Sequence, residues 1–360
     1  MRILQVINGL GTGGAEKLVV DMIMALQQRG ITVDLLLLNG SETPFLTHLQ
    51  SMSKGKLIDL GRSSVYHPKL LFALRPHLKA YDVVHVHLFP ALYWAALATL
   101  LPGTFPPLVY TEHSTHNKRR DRWLFKLIDR WLYARYRSVV AITPLVKTNL
   151  QAHLQWNAEQ IQVIPNGIDG KTLRQAKPYS KADLGLPEDA RVLLHVARFY
   201  PPKDPITLIS SMMALDASVH LLLVGEGPDR AAASAHAVQC GVASRVHFLG
   251  IRTDIPQLLQ SADIVVLSSQ YEGLSLAAIE GMASGKPFVA SDVPGIRDSV
   301  AGAGVLFTYG DANDLGQKLQ RLLDDVAYRE TIVAQCLARA AQYDSAQMVD
   351  RYLALYQSLL

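Results

Sequence analysis

This 360-residue sequence has few cysteines, few long apolar runs and only a small excess of charge of one sign. Its two cysteines, Cys240 and Cys336, stand far apart without metal-ligand spacing, which argues against a cysteine-based metal site and indicates a reducing compartment. The longest apolar stretch, 88–102, is interrupted by Pro90 and is too short to cross a bilayer. The formal net charge of +4 fits an enzyme that binds anions better than a nucleic-acid binder.

The first 14 residues lack the long apolar region of a signal peptide. We therefore expect a cytoplasmic protein, able to lie as a peripheral protein at the inner face of the plasma membrane. The apolar fraction of 49% and the charged fraction of 18% predict large buried cores. The length predicts two domains of similar mass.

Apolar runs alternate with helical segments along most of the chain, which predicts βαβ units and parallel sheets. The alternation breaks near Ile164–Asp169 and restarts beyond a loop rich in Lys, Pro, Ser and Gln. We expect an α/β protein with two Rossmann-like, doubly wound domains, 1–170 and 171–340, facing across a cleft. Strands are predicted at 2–7, 33–38, 83–87, 108–111, 139–143, 161–164, 192–196, 220–224, 245–249, 264–267 and 287–290.

The stretch from Tyr271 to Pro287 follows a predicted buried strand and has the pattern of a loop and then a helix. Ser275 suits a helix N-cap, so the amides of 273–276 are expected to point outward from the carboxyl end of a parallel sheet. Such a helix N-terminus binds phosphate. Glu280 is expected to reach a ribose hydroxyl, and Glu272 to accept hydrogen bonds from the hydroxyls of a sugar.

Glu272 and Glu280, followed by Gly285-Lys286-Pro287 and by 289–295, resemble the E-x7-E signature of retaining GT-B glycosyltransferases of family 4. Together with four further matches, the resemblance covers essentially the whole chain in the right order. These matches are the phosphate-binding pair Arg198 and Lys203, the turn Val224–Pro228 beneath the donor, the interdomain connector Pro165–Asp169 and the glycine loop Gly13–Glu16 of the first domain.

The resemblance implies the GT-B architecture, with the nucleotide sugar held by the C-terminal domain and the acceptor presented by the N-terminal domain. It also implies that a helix within 341–360 packs back on the N-terminal domain. The implied reaction is a retaining transfer from a nucleotide diphosphate sugar to a glycan or lipid-linked acceptor, in surface polysaccharide or glycoconjugate biosynthesis. Because no Asp-x-Asp pair stands at a strand end, we expect no metal, and no motif demands another cofactor.

The expected chemistry gives each candidate residue a role. The departing diphosphate gains negative charge, which the forked Arg198 guanidinium and the Lys203 ammonium would stabilise. His113 matches the histidine that the family places near the transferring sugar. The predicted catalytic residues are His113, Arg198, Lys203 and Glu272. The predicted donor-binding residues are Gly13, Gly14, Arg198, Lys203, Gly225, Glu226, Gly273, Leu274, Ser275 and Glu280. His87 and Glu16 are predicted to lie on the acceptor side.

A basic stretch at 118–137 is predicted to form an amphipathic helix. Its core stripe would comprise Leu124, Leu127, Ile128, Trp131 and Leu132. Its cationic face is either simply solvated or contacts anionic lipid or a lipid-diphosphate acceptor, an idea favoured by Trp123 and Phe125 outside the stripe. The cations of the stretch are Lys118, Arg119, Arg120, Arg122, Lys126, Arg130, Arg135 and Arg137. The face opposite the core stripe would comprise Arg119, Arg122, Lys126, Arg130, Tyr133 and Arg137.

Two other functions stay open at this point. One is a GT-B nucleotide-sugar epimerase or glycan phosphorylase, although no motif demands the pyridoxal cofactor that a phosphorylase often uses. The other is a catalytically silent carbohydrate- or nucleotide-binding protein of the same fold. The presence of Arg198, Lys203, Glu272 and Glu280 disfavours the silent protein, which would be free to lose them.

Overall fold

The computed structural model describes residues 1–11, 13–114 and 117–360. The chain divides into two compact units. The first contains residues 1–167 and 345–360, and the second contains residues 168–344.

The first unit is built on a parallel sheet of seven strands. The strands are β1 (Arg2–Ile7), β2 (Thr32–Leu37), β3 (Leu57–Asp59), β4 (Val83–His87), β5 (Leu108–Glu112), β6 (Ser138–Ala141) and β7 (Ile161–Val163). Their order is β3-β2-β1-β4-β5-β6-β7, and every pair is parallel. The helices up to residue 167 are α1 (Gly14–Gln28), α2 (Pro44–Met52), α3 (Lys69–Leu78), α4 (Ala91–Ala98), α5 (Trp123–Tyr133) and α6 (Pro144–Leu154).

The second unit repeats this design with a parallel sheet of six strands. The strands are β8 (Arg191–Val196), β9 (Val219–Val224), β10 (Val246–Gly250), β11 (Ile264–Leu267), β12 (Phe288–Ser291) and β13 (Val305–Phe307), in the order β10-β9-β8-β11-β12-β13. The helices are α7 (Gly170–Gln175), α8 (Pro205–Ser211), α9 (Arg230–Gln239), α10 (Ile255–Ser261), α11 (Leu276–Ala283), α12 (Ile296–Val300), α13 (Ala312–Asp324) and α14 (Val326–Ala340).

The central strands of both units are buried along nearly their whole length. Strands covered on both faces carry continuous apolar runs, which is why most of them are predictable from the sequence. The sequence analysis missed β3 and β13. Each is a three-residue strand at the edge of its sheet, too short to leave an apolar run.

The last helix, α15 (Ser345–Gln357), belongs to the first unit. Its buried residues recur at spacings of three and four: Met348, Val349, Tyr352, Leu355 and Tyr356. The two tyrosines carry hydrogen bonds into the sheet. The Tyr356 hydroxyl lies 2.6 Å from His85 Nδ1, and the Tyr352 hydroxyl lies 3.0 Å from Thr111 Oγ1. The helix is therefore held by polar contacts inside an apolar interface.

In each sheet the chain order reverses at one point, between β1 and β4 in the first unit and between β8 and β11 in the second. The loops that leave the carboxyl ends of such strands diverge to opposite faces of the sheet, and this leaves a crevice where ligands of open α/β sheets bind. The loops after β1, β4, β8 and β11 are therefore the places to look for function.

We predict that Tyr356→Phe lowers the free energy of unfolding of the first unit by about 1–3 kcal/mol, because it leaves the fully buried His85 Nδ1 without a partner. All four tryptophans (Trp94, Trp123, Trp131 and Trp156) lie in this unit, so tryptophan fluorescence during urea unfolding reports on it alone. The matched control is Tyr66→Phe at a residue that is 61% exposed, which should change stability by less than about 0.5 kcal/mol. Equal effects of the two substitutions would contradict the assignment.

Candidate functional site

Two cationic residues and a carboxylate follow the carboxyl ends of β8 and β11 in the second unit. Arg198 lies two residues beyond the end of β8, and the segment at Lys203 forms an antiparallel bridge with Ser269, just beyond β11. The Lys203 ammonium donates a hydrogen bond to Glu272 Oε1, and the Ser269 hydroxyl donates to the same oxygen at 2.9 Å. Residues 69 positions apart in sequence are thus joined in an ion pair, as expected for adjacent parallel strands.

Two glycines allow the loops around this cluster to approach each other. Gly225 has φ of 137°, and a Cβ there would lie 2.1 Å from the carbonyl oxygen of Ala197. Gly295 has φ of 83°, and its Cβ would lie 2.1 Å from the carbonyl oxygen of Glu272. Gly225 was predicted as a site residue. Gly295 was not predicted as a site residue, although it ends the 289–295 run that carries part of the family resemblance. Its role in supporting Glu272 depends on its close approach to the Glu272 carbonyl, which the sequence does not reveal.

Helix α11 begins immediately after Ser275, so the predicted N-cap position is confirmed, although its hydroxyl makes no capping hydrogen bond. The Ser275 carbonyl instead accepts from the amides of Ala278 and Ile279, each at 3.1 Å. Glu280 is only 6% exposed and lies on the buried side of the helix. Residues 273 and 274 are half-buried in the preceding loop. The helix N-terminus therefore follows β11 at the reversal point of the sheet.

The electrostatics of this cluster combine exposed and paired charges. Arg198 is exposed, and its guanidinium lies 5.9 Å from the ring centroid of Tyr200. The Lys203 and Glu272 side chains are 19% and 14% exposed, so their attraction is only partly screened by water. Glu226 forms an ion pair with Arg230 at 3.6 Å. A bound anion would meet Arg198 and, by exchange for Glu272, Lys203.

The first unit brings a histidine cluster to the ends of β1, β4 and β5. His87 Nε2 lies 2.8 Å from Gln5 Oε1, and His87 Nδ1 lies 3.1 Å from His113 Nε2. His113 Nδ1 is buried and makes no hydrogen bond within the described part of the chain. His87, which was predicted to lie on the acceptor side, is fully buried behind His113. His85 is buried with both ring nitrogens hydrogen-bonded, as expected.

All three histidines are held neutral. Burial lowers the pKa of His113 to about 4. Burial also lowers the pKa values of His85 and His87 well below the ordinary value, with a further contribution from the neighbouring rings. Neutral imidazoles carry one N–H donor and one acceptor each, so the cluster has a definite hydrogen-bond direction.

The glycine loop lies at the N-terminus of α1. Gly13 is the N-cap residue in an extended conformation, and Gly14 is the first helical residue. A Cβ at Gly13 would lie 2.3 Å from Glu16 Oε2, so the Glu16 carboxylate lies directly against the loop. Asn8, not predicted as functional, ties this region to the end of β4: its Nδ2 donates to the carbonyl of Phe89 at 2.8 Å. The one feature of the sequence that could have indicated a role for Asn8 is its position between a predicted strand and the glycine loop.

The basic stretch differs from its prediction. It is not one helix: Lys118–Asp121 forms a short 3-10 turn, Arg122 is extended, and α5 starts at residue 123. Arg119 was expected on the solvated face, but the side chains of Arg119 and Arg120 are both buried, in ion pairs with Asp129 at 3.2 Å and with Glu112. The Lys118 side chain lies outside the described part of the structure. The charges of Arg119 and Arg120 are therefore largely neutralised within the unit.

The predicted core stripe of α5 is also wrong for most of its members. Leu124, Leu127 and Trp131 are 51%, 60% and 48% exposed, and Trp123 is 76% exposed. The buried side of α5 is instead formed by Asp129, Leu132 and Tyr133. Of the predicted stripe, Leu132 is buried and Ile128 is half-buried. The helix therefore turns a row of large apolar side chains outward.

Within the described residues, no helix is both long enough and apolar enough to span a bilayer. Across the same residues, no three His, Cys, Asp or Glu side chains are grouped so that they could hold a metal ion.

Comparison with known families matches both halves of the chain. Residues 12–171 match the family described as Glycosyltransferase Family 4, and residues 190–325 match the family described as Glycosyl transferases group 1. The first range covers the glycine loop and the histidine cluster, and the second covers the cluster of Arg198, Lys203 and Glu272.

Named relatives and solved structures extend the likeness. The chain is 28% identical over 306 residues to EpsF of Bacillus subtilis (strain 168), covering 81% of this chain and 79% of EpsF. It is 28% identical over 280 residues to UDP-Gal:alpha-D-GlcNAc-diphosphoundecaprenol alpha-1,3-galactosyltransferase of Escherichia coli, covering 71% of this chain and 70% of that protein. The crystal structure of Anabaena HepE in complex with UDP and glucose matches with a TM-score of 0.86 at 24% identity, covering 100% of both chains.

We predict that the stability of the first unit falls as the pH is lowered from 6.5 to about 4. In this window the unfolded chain protonates His113 whereas the folded chain does not, so the unfolded state binds more protons and gains stability as the pH falls. His113→Asn should reduce this slope by up to about 1.4 kcal/mol per pH unit, the value for one proton. Urea unfolding followed by tryptophan fluorescence at several pH values measures it. Identical slopes in the two proteins would show that His113 is not held neutral by folding.

Proposed function

Because the chain belongs to glycosyltransferase family 4, we propose that it transfers a sugar from a nucleotide diphosphate sugar to a glycan or lipid-linked acceptor, with retention of anomeric configuration and without a metal ion. The family and the GT-B fold expected from the sequence are confirmed by the two matched families and by the likeness to HepE. Glycosyl transfer in polysaccharide or lipopolysaccharide-type biosynthesis follows from the same relatives.

The observation that carries the proposal is the cluster at the ends of β8 and β11. Transfer leaves about one additional negative charge on the departing diphosphate, and preorganised cations and amides are usually the largest source of transition-state stabilisation. Arg198 offers a planar fork for two phosphate oxygens, and Lys203 offers a point charge. The N-terminus of α11 adds backbone amides. These groups could stabilise the leaving group without a divalent ion, which supports metal independence.

The pairing of Lys203 with Glu272 has a consequence for donor binding. An ammonium group has three donors, so Lys203 can bind a phosphate oxygen while it keeps or releases the carboxylate. Glu272, held also by the Ser269 hydroxyl at 2.9 Å, would then accept hydrogen bonds from sugar hydroxyls. The ion pair thus keeps both groups in place before the donor arrives.

Two relatives narrow the proposed substrates. HepE binds UDP and glucose, and the named activity of the Escherichia coli relative uses UDP-Gal and a diphosphoundecaprenol-linked sugar. We accordingly take a UDP-sugar as the donor and a polyprenol-diphosphate-linked sugar as the first acceptor to test.

We predict that UDP binding is independent of chelator and requires Lys203. At one hundred times its dissociation constant, UDP should stabilise the folded protein by about 2.7 kcal/mol, which is measured as a shift in Tm. Lys203→Ala removes a charged hydrogen-bond partner and should weaken UDP binding at least about tenfold in calorimetric titration. The matched control is Lys181→Ala, which breaks the ion pair with Asp263 at the opposite, amino edge of the sheet.

Equal dissociation constants for the wild type and Lys203→Ala would contradict the site assignment, and loss of binding with chelator would contradict metal independence. Chromatography of the products separates the reaction classes. Transfer to the acceptor supports the proposal, whereas isomerised nucleotide sugar without acceptor would identify an epimerase.

A second element of the proposed function is contact between α5 and an anionic membrane. The outward row of Trp123, Leu124, Leu127 and Trp131 would enter the apolar boundary of the bilayer, where tryptophan is favoured. Arg122, Lys126, Arg130 and Arg135 flank the row, and the Arg135 guanidinium lies 5.4 Å from the Trp131 ring centroid. Each cation near an anionic surface adds about 1 kcal/mol. A lipid-linked acceptor would be met at that surface.

We predict that the protein sediments with vesicles containing anionic lipid and much less with purely zwitterionic ones. Neutralising Arg122, Lys126 and Arg130 together to Gln should lower the bound fraction several-fold, because about 3 kcal/mol of attraction is lost. Trp123→Ser with Leu127→Ser should do the same by removing apolar area. The matched control is Phe72→Ser on α3, at a side chain that is 66% exposed. Unchanged sedimentation of the neutralised variant would exclude the membrane contact.

A further inference from the structure

Gln5 is a polar residue in the middle of a buried, otherwise apolar strand. It lies on β1, is fully buried and stands opposite His85 in the register between β1 and β4. A buried amide is retained only where its hydrogen bonds are satisfied, since an unpaired one costs about 1–3 kcal/mol. Its oxygen contacts His87, and His87 contacts His113, so the strand core is connected to the candidate site.

The neighbours of Gln5 decide which way its amide points. Its Nε2 donates to Met22 Sδ at 3.7 Å. A thioether sulfur accepts hydrogen bonds and never donates, so the NH2 group belongs on that side. The Tyr356 hydroxyl lies 3.8 Å from the same sulfur and 2.6 Å from His85 Nδ1. The carbonyl Oε1 of Gln5 therefore faces His87, as an acceptor.

This orientation of Gln5 then decides which nitrogen of each histidine ring donates a hydrogen bond and which accepts one. His87 is neutral, so the nitrogen next to Gln5 Oε1 carries its single proton: Nε2 donates at 2.8 Å and Nδ1 keeps a lone pair. His113 Nε2, 3.1 Å from that lone pair, must be the donor. The second nitrogen of a neutral His113 is then unprotonated. It is the buried Nδ1 that no hydrogen bond satisfies within the described residues.

We propose that Gln5, acting through His87, is a positioning residue that holds His113 in its Nε2–H tautomer, so that His113 Nδ1 accepts a hydrogen bond from a substrate hydroxyl and disfavours a phosphate oxygen. This inference rests on the proposed function for the identity of the substrate. A lone pair attracts an O–H proton and repels the lone pairs of an oxyanion. The opposite tautomer, or a protonated ring, would present N–H and would favour phosphate.

The same arrangement indicates whether His113 acts as a general base or only orients a hydroxyl group of the substrate. Burial lowers its pKa to about 4, so at neutral pH it is a weak general base. It is suited to orient a sugar hydroxyl by accepting its proton in a hydrogen bond, with no proton transferred.

The tautomer is measured directly by long-range 1H–15N NMR on protein labelled with 15N in histidine and deuterated elsewhere. His113 and His87 are assigned from His113→Asn and His87→Gln spectra. In the free wild type at pH 7, both rings should show an unprotonated Nδ1 and a protonated Nε2. This arm needs no substrate, so its outcome is separate from that of the proposed function. A protonated Nδ1 on His113 would overturn the inference.

Two variants test the role of Gln5. Gln5→Leu has similar volume and no hydrogen-bonding group, so His113 should populate both tautomers and kcat/KM for the UDP-sugar should fall about five- to tenfold, the effect of one neutral hydrogen bond. Gln5→Glu keeps an acceptor oxygen and should restore the Nε2–H signature. Ile3→Val, on the same face of β1, controls for packing and should lower Tm without changing the tautomer or kcat/KM.

If Gln5→Leu does not fold, the spectrum of Gln5→Glu still decides: loss of the Nε2–H signature there would overturn the inference. A wild-type tautomer and full activity in Gln5→Leu would also overturn it. Two results together would support the inference. His113 should keep the Nε2–H tautomer in every folded variant with an acceptor at position 5, and it should show a mixture of tautomers where that acceptor is removed.

Discussion

Each unit of this protein depends on a parallel sheet that is covered on both faces. Backbone groups inside such a sheet pair with neighbouring strands, and side chains there must be apolar or fully hydrogen-bonded. Polar groups inside a strand, such as Gln5 and Asp34, are consequently hydrogen-bonded, and the candidate binding residues lie at or beyond the strand ends. Because all strands run the same way, their carboxyl ends lie along one edge, and the reversal of strand order at β1/β4 and at β8/β11 opens a place for ligand on that edge.

The two units use this edge in different ways. The second unit gathers charge: an exposed Arg198, a Lys203–Glu272 ion pair and the start of α11. The first unit gathers neutral groups, in a hydrogen-bonded line from Gln5 through His87 to His113. Charge suits a diphosphate, whose leaving ability depends on electrostatic stabilisation. Neutral acceptors suit hydroxyl groups, which are recognised by direction more than by charge.

Buried polar contacts also hold the first unit together at its last helix. The Tyr356 and Tyr352 hydroxyls of α15 bond to His85 and Thr111, the interior residues of β4 and β5. Gln5 Nε2 and the Tyr356 hydroxyl both contact Met22 Sδ, at 3.7 and 3.8 Å, so the helix and the histidine line share one network. Stability and site geometry in this unit therefore depend on the same few side chains.

Local patterns in the sequence were sufficient for the βαβ alternation, for Ser275 as an N-cap position and for the residues that resemble family 4. These features depend on neighbours in the chain or on buried strands with continuous apolar runs. Periodicity also showed that α5 is amphipathic, but it assigned Leu124, Leu127 and Trp131 to the core, whereas they face outward. The inward side was decided by the ion pair of Asp129 with Arg119 and by the burial of Tyr133, contacts that a helical pattern does not encode. In the same way, Gly295 under Glu272 and Gln5 behind His87 depend on side chains and backbone brought together across the fold. The sequence by itself determined the repeating units and their chemistry-bearing loops, and tertiary packing alone decided which face of a helix is buried and which nitrogen of His113 makes no hydrogen bond within the described residues.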